Sequence, residues 1–187
     1  MGQYFRFICI LNETFLQFIE IFCHEGGSKF LEMAGVNNYY MLRMEKLLSE
    51  GGLWYKQRVV LAGEYANNEK NHEVNLHILT LPKSDTDYKS DVTAQNINPN
   101  TTLDKCIEKY CAKEDEFRYI VNHDTREYVD KQKSTTKIHP LAILLEEGYT
   151  NSSGLWSRQR ISVHNDIPEN FTEYIVDESE FEYLSEH

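Results

Sequence analysis

The sequence predicts an α+β fold in which two pseudo-symmetric strand–helix–strand repeats share one core and a mainly antiparallel sheet. Two observations carry this expectation. Three short blocks recur in the same order in the two halves of the chain. The apolar pattern also switches between a period of two and a period of 3.6 residues inside each half.

The first block is Phe5-Arg6-Phe7-Ile8 against Phe117-Arg118-Tyr119-Ile120, each opening an alternating run that reads as a strand. The second is helical. Tyr40, Met41, Met44, Leu47 and Leu48 fall on one helical face, with Arg43, Lys46 and Glu50 outside the stripe. In the second half Pro140 supplies a first-turn start, and Leu141, Leu144 and Leu145 form the stripe. Leu47-Leu48-Ser49-Glu50-Gly51 then matches Leu144-Leu145-Glu146-Glu147-Gly148, and each glycine is expected to cap its helix in a left-handed conformation. The third block is Gly52-Leu53-Trp54-Tyr55-Lys56-Gln57-Arg58-Val59 against Gly154-Leu155-Trp156-Ser157-Arg158-Gln159-Arg160-Ile161, and both copies read as strands. Tyr149 to Ser153 lengthen the second helix-to-strand loop, and an acid follows each third block at the same offset, Glu64 and Asp166.

A strand–helix–strand unit of about fifty residues buries its own face poorly, so both units are expected to pack on one core. The chain therefore reads as a single domain over 1–187, with repeat one at 4–66, repeat two at 116–166 and an acidic C-terminal tail at 169–187. A connector rich in Asp, Ser, Asn and Thr occupies 83–100.

Strict alternation through the third block puts Trp54, Lys56 and Arg58 on one face, and Trp156, Arg158 and Arg160 on the corresponding face of the second copy. Cations two and four residues from an indole can cover its ring. The plain interpretation is a half-exposed strand whose tryptophan is roofed by charged stems; the functional one is a pair of Trp–Arg strips forming a groove for a ligand or partner. The candidate binding residues are Trp54, Arg58, Glu64, Trp156, Arg160 and Asp166, and the sequence designates no catalytic residue. Gln57 and Gln159 alternate onto the apolar face, where each amide needs a hydrogen-bond partner.

Composition narrows the function classes. With 19 Lys and Arg against 30 Asp and Glu the formal charge is −11, so nucleic acid and anionic membrane are not expected partners. Arg6, Glu13 and Glu20 interrupt the apolar start, so neither a signal peptide nor a membrane span is expected and the protein is expected to be cytoplasmic. The four cysteines, Cys9, Cys23, Cys106 and Cys111, are then free thiols, and the four Asn-x-Ser/Thr triplets carry no sugar. His72-Glu73 and His77 are one residue too far apart for the zinc-protease helix, and the Cys106–Cys111 spacing fits no strong zinc pattern. No metal or cofactor is expected.

Met1-Gly2-Gln3-Tyr4-Phe5, Lys29-Phe30-Leu31-Glu32, Trp54 with Arg58-Val59-Val60, and Ala62-Gly63-Glu64-Tyr65 resemble motifs of a family of small proteins of large DNA viruses and bacteria. Val121-Asn122, Glu127-Tyr128-Val129, His139-Pro140-Leu141 and the Trp156 to Val163 strand are similar to that family's later motifs. The resemblance spans most of the chain except the connector and the tail. It implies no activity and no catalytic residue, because the family has none assigned. Tyr149-Thr150-Asn151-Ser152-Ser153 departs from the glycine-rich loop of similar proteins.

Two function classes follow. The first is a non-enzymatic protein-interaction or ligand-binding module using the two Trp–Arg faces, as a homodimer or against another protein. The second is a small-molecule enzyme that holds an anionic substrate between the repeats on Arg58 and Arg160, with Glu64 or Asp166 transferring protons.

Overall fold

The computed structural model describes residues 3–19, 28–66, 75–81, 91–97, 111–148 and 154–179. His72, Glu73, Cys23 and Cys106 lie outside the described residues, as do parts of the connector and the tail.

An alternating apolar stretch forms β1 (Tyr4–Asn12), which turns back at Glu13 and Thr14 into β2 (Phe15–Ile19). β3 (Ser28–Lys29) leads into the single turn α1 (Phe30–Met33). α2 (Tyr39–Leu48) starts where the Asn38 side chain accepts the Tyr40 N–H at 2.9 Å, a cap that satisfies one open helix donor. Then come β4 (Gln57–Gly63), α3 (Leu76–Leu79) and β5 (Thr93–Asn96). The second half supplies β6 (Tyr119–Asn122), β7 (Glu127–Asp130), α4 (Pro140–Leu145), β8 (Glu146–Glu147), β9 (Gln159–His164) and β10 (Thr172–Glu173).

Among the described residues the ten strands make one mostly antiparallel sheet in the order β10-β7-β6-β9-β4-β1-β2-β5, with β3 on β1 and β8 on β4. The α+β class is as the sequence predicts. One face carries the main core: Phe5, Phe7 and Cys9 of β1, Val59 and Leu61 of β4, Ile161 and Val163 of β9 and Ile120 of β6 pack against α2 and α4. A smaller core on the opposite face joins Ile8, Leu16, Phe18, Val60 and Ala62 to Leu76 of α3.

The seam of the sheet is the antiparallel pair β4–β9, with Gln57 opposite Ile161, Arg58 opposite Arg160 and Val59 opposite Gln159. Exchanging the two third blocks maps this register onto itself. The flanking bonds obey the same exchange: Lys56 N–H donates to Ile161 O at 3.1 Å, and Arg158 N–H to Val59 O at 2.8 Å. The first block breaks the pattern. Phe7 pairs with Leu61, whereas Ile120 rather than Tyr119 pairs with Val163, so the matching letters of the first block are one residue out of phase. A shift of one turns a strand over. Arg6 is accordingly buried, its guanidinium donating to Thr80 O and Oγ1 at 2.9 and 2.8 Å, while Arg118 lies exposed against Asp130 at 2.7 Å.

Three local expectations are corrected. α4 stops at Leu145, and Glu146–Glu147 form a strand beside Leu61 and Ala62 where β9 leaves the flank of β4, so Gly148 is left-handed (φ 99°) without capping a helix. Gly51 is also left-handed (φ 81°), but it follows the extended cap residue Ser49 by two positions. Within the connector, Thr93–Asn96 form β5, which pairs in parallel with β2 and covers that edge strand. In α2, Arg43 is buried rather than outside the stripe, and Glu45 is fully buried beside it.

Candidate functional site

The third blocks are not strands throughout. Trp54 O accepts the Gln57 N–H at 3.0 Å and Trp156 O the Gln159 N–H at 3.2 Å, so each tryptophan opens a tight turn that precedes its strand. The turn is anchored backward: Trp54 N–H donates to Leu47 O at 2.9 Å and Trp156 N–H to Leu144 O at 3.0 Å. Gly52 and Gly154 allow this approach, since a Cβ on either would collide with a carbonyl of the preceding segment, Leu47 or Glu146.

This turn overturns the expected Trp–Arg strips. Trp54 (0% exposed) and Trp156 (2%) point into the main core, on the face opposite Arg58 and Arg160. The Trp54 indole N–H donates to Gln17 Oε1 at 3.0 Å, and Trp156 packs on Tyr174 with ring centroids 5.6 Å apart. Neither indole is available to a ligand.

The cations are. Arg58 and Arg160 stand directly opposite each other at the centre of the seam, both exposed, with Lys56 and Arg158 two residues earlier in the turns that precede the strands. Like charges paired across strands destabilise a sheet unless they are balanced. Asp124, in the β6–β7 turn, balances Arg160: its carboxylate accepts Arg160 Nε at 2.6 Å and Arg160 N–H at 2.8 Å. Glu147 accepts Arg158 Nε and Nη2 at 2.8 and 2.9 Å. Among the described residues no carboxylate pairs with Arg58 or Lys56, whose ammonium sits 4.9 Å from the Tyr55 ring centre.

Lys56 (φ 56°) and Arg158 (φ 60°) are left-handed, a conformation that costs an ordinary residue about 1–2 kcal/mol. Lys56→Gly removes that strain and is expected to raise Tm by about 2 °C, whereas Lys56→Val, β-branched at positive φ, lowers it. Thermal unfolding of the two variants beside wild type checks the order.

Beside the cations lies a cluster that sequence spacing could not reveal. The Ser162 side chain is buried and sits between two half-buried imidazoles, with His123 Nε2 at 2.6 Å and His164 Nε2 at 2.7 Å from its oxygen. The hydroxyl has one proton and can donate to one ring only, so at least one ring donates Nε2–H to the oxygen. Tyr55 packs edge-on against His164 and Phe171 against His123, with ring centres 5.8 Å apart in each pair. Burial and the Lys56 ammonium push His123 down to about 4 and lower His164 in the same direction.

Glu64 and Asp166 do not come together, and of the two Asp166 acts on the cluster, attracting a proton to His164. They end antiparallel strands, each six positions beyond the central arginine pair, which puts them on the order of 30–40 Å apart along the sheet. Gln159 is satisfied by the Asn122 side chain rather than by a backbone edge. Burial pushes the Cys9 thiol up to about 12, with Arg58 opposing, so Cys9 is a packing residue. Comparison with family models, with curated proteins and with solved structures finds no match.

Proposed function

We propose that this protein is a non-enzymatic binding module that takes an acidic segment of a protein partner on the seam formed by Lys56, Arg58 and Arg160. One observation carries the reading: in a chain of formal charge −11, the two central strands set arginines directly opposite each other and leave Arg58 and Lys56 without a carboxylate among the described residues. Arg58 and Lys56, with no counter-charge among the described residues, suit an external one, and they steer an anionic partner against the average field of the chain. The three cations are exposed and run along two paired strands, which fits an extended peptide better than a small enclosed substrate. The enzymatic alternative loses support because Glu64 and Asp166 each lie six positions, about 20 Å of strand, beyond the arginine pair.

The test is thermal shift and calorimetry with an Asp- and Glu-rich peptide and with small anions, on wild type and Arg58→Glu. Arg58 is exposed and makes no ion pair among the described residues, so its replacement is expected to change stability by no more than about 0.5 kcal/mol. Binding of the peptide by wild type, weakened at least tenfold in Arg58→Glu, is the expected result. Equal affinity in the two proteins, or no binding to either, sinks the reading.

A further inference from the structure

Resting on the seam as an anion site, we propose that His123, Ser162 and His164 form its proton-taking wall, so that an anion bound on Lys56, Arg58 and Arg160 brings one proton with it. Arg160, Ser162 and His164 alternate onto the same face of β9, and Ser162 joins His164 to His123 at the end of β6.

The hydrogen bonds make the free site reluctant to charge. With both rings neutral, the Ser162 hydroxyl can accept from one Nε2–H and donate to the other Nε2. A proton added to the accepting ring turns both rings into donors, and the buried hydroxyl then loses its acceptor. The neighbouring charges act the same way. Lys56 repels a proton on either ring, and Arg160 repels one on His123; Asp124 near His123, and Glu50 and Asp166 near His164, attract it but do not prevail. Tyr55 and Phe171 each cover part of one imidazole with an aromatic ring, against which a charge is poorly hydrated.

An anion seated against the cations cancels the repulsion that keeps the imidazoles neutral. Linkage then requires the converse: a site that takes up a proton with its ligand binds that ligand more tightly as pH falls, by at most tenfold per pH unit for one proton. The effect is read between pH 7.5 and 5.0, where the sulfate-bound protein is expected to begin charging a histidine that stays neutral in the free protein and most carboxylates keep their charge.

Inorganic sulfate is the probe, because its own charge is constant across this range. Its Kd is measured at pH 7.5 and 5.0 at fixed ionic strength, for wild type, Arg58→Glu and the double variant His123→Asn with His164→Gln. Wild type is expected to bind at least fivefold more tightly at pH 5.0, with that gain absent in the double variant. Imidazole C–H resonances of wild type give a second reading that needs no variant to fold: saturating sulfate is expected to raise the pKa of His123 or His164 by at least about 0.7 of a pH unit, the least that a fivefold gain requires. Binding that depends on Arg58 but is flat with pH, with unmoved imidazole titrations, overturns the proton linkage and leaves the seam as an anion site. Absence of sulfate binding at every pH removes both.

Discussion

Trp54→Ala is expected to remove a large share of the stability of this protein, although the sequence offers Trp54 as a surface residue. Truncating a fully buried tryptophan costs about 3–5 kcal/mol, against a total stability of about 5–15 kcal/mol for a typical domain. Here the indole is 0% exposed among Phe7, Cys9, Val59 and Leu61, and its N–H is the donor to Gln17 Oε1. The substitution therefore leaves both a cavity and an amide oxygen without its donor. In a chain of this length the loss corresponds to a fall in Tm of about 10 °C or more. Trp156→Ala is expected to behave similarly, with added loosening of the segment around Tyr174. A tryptophan roofed by charged stems on an open strand face would lower Tm by only a few degrees, so calorimetry of either variant separates the two placements.

Second in size is Glu45→Ala. Glu45 Oε1 is shared by the Lys131 ammonium and His139 Nε2, the latter at 3.1 Å, in a setting where Glu45 is 0% exposed. The histidine tautomer is fixed by its other nitrogen. Nδ1 accepts the Leu141 N–H at 3.1 Å as the cap of α4, so the ring proton sits on Nε2 and points at Glu45. Removing the carboxylate strands a nearly buried ammonium and an imidazole donor, which costs about 3–5 kcal/mol. Burial alone would raise the pKa of Glu45, but the His139 bond and the Lys131 charge outweigh it and hold the carboxyl below its ordinary value. A depressed carboxylate pKa stabilises the fold above the unfolded value of about 4.3, and this contribution is lost as pH falls through the folded value. Wild type is thus expected to lose more stability between pH 5 and pH 3 than Glu45→Gln does. Urea unfolding at the two pH values reads the difference.

The α+β class, the helical stripe from Tyr40 to Leu48, the Pro140 start and the strand character of Gln57 to Val60 and Gln159 to Ser162 are legible in the sequence, because each rests on local periodicity or a first-turn proline. What alternation misses is a change of phase. Lys56 and Arg158 are left-handed without being glycine or asparagine, so no turn signal announces that the residues before them have left the strand, and the tryptophans move to the wrong face. The first block misleads in the opposite way, since Phe-Arg-Phe-Ile and Phe-Arg-Tyr-Ile match in letters but not in register. The contacts of His123 with Ser162 and of Glu45 with His139 join residues 39 and 94 positions apart, made by strand pairing and packing that no spacing rule encodes.

The seam also governs how the chain reaches its native state. The β1–β2 and β6–β7 hairpins close over short loops and can form early, whereas Arg58 meets Arg160 only after a loop of roughly a hundred residues has closed. Folding is therefore expected to be slow for the chain's length, with the hairpins protected from hydrogen exchange before β4 and β9 are. Until those two strands join, each exposes a β-branched edge next to its cations. Arg58 and Arg160, which oppose each other at close range in the finished sheet, then serve as like charges that discourage such edges from pairing with copies of themselves.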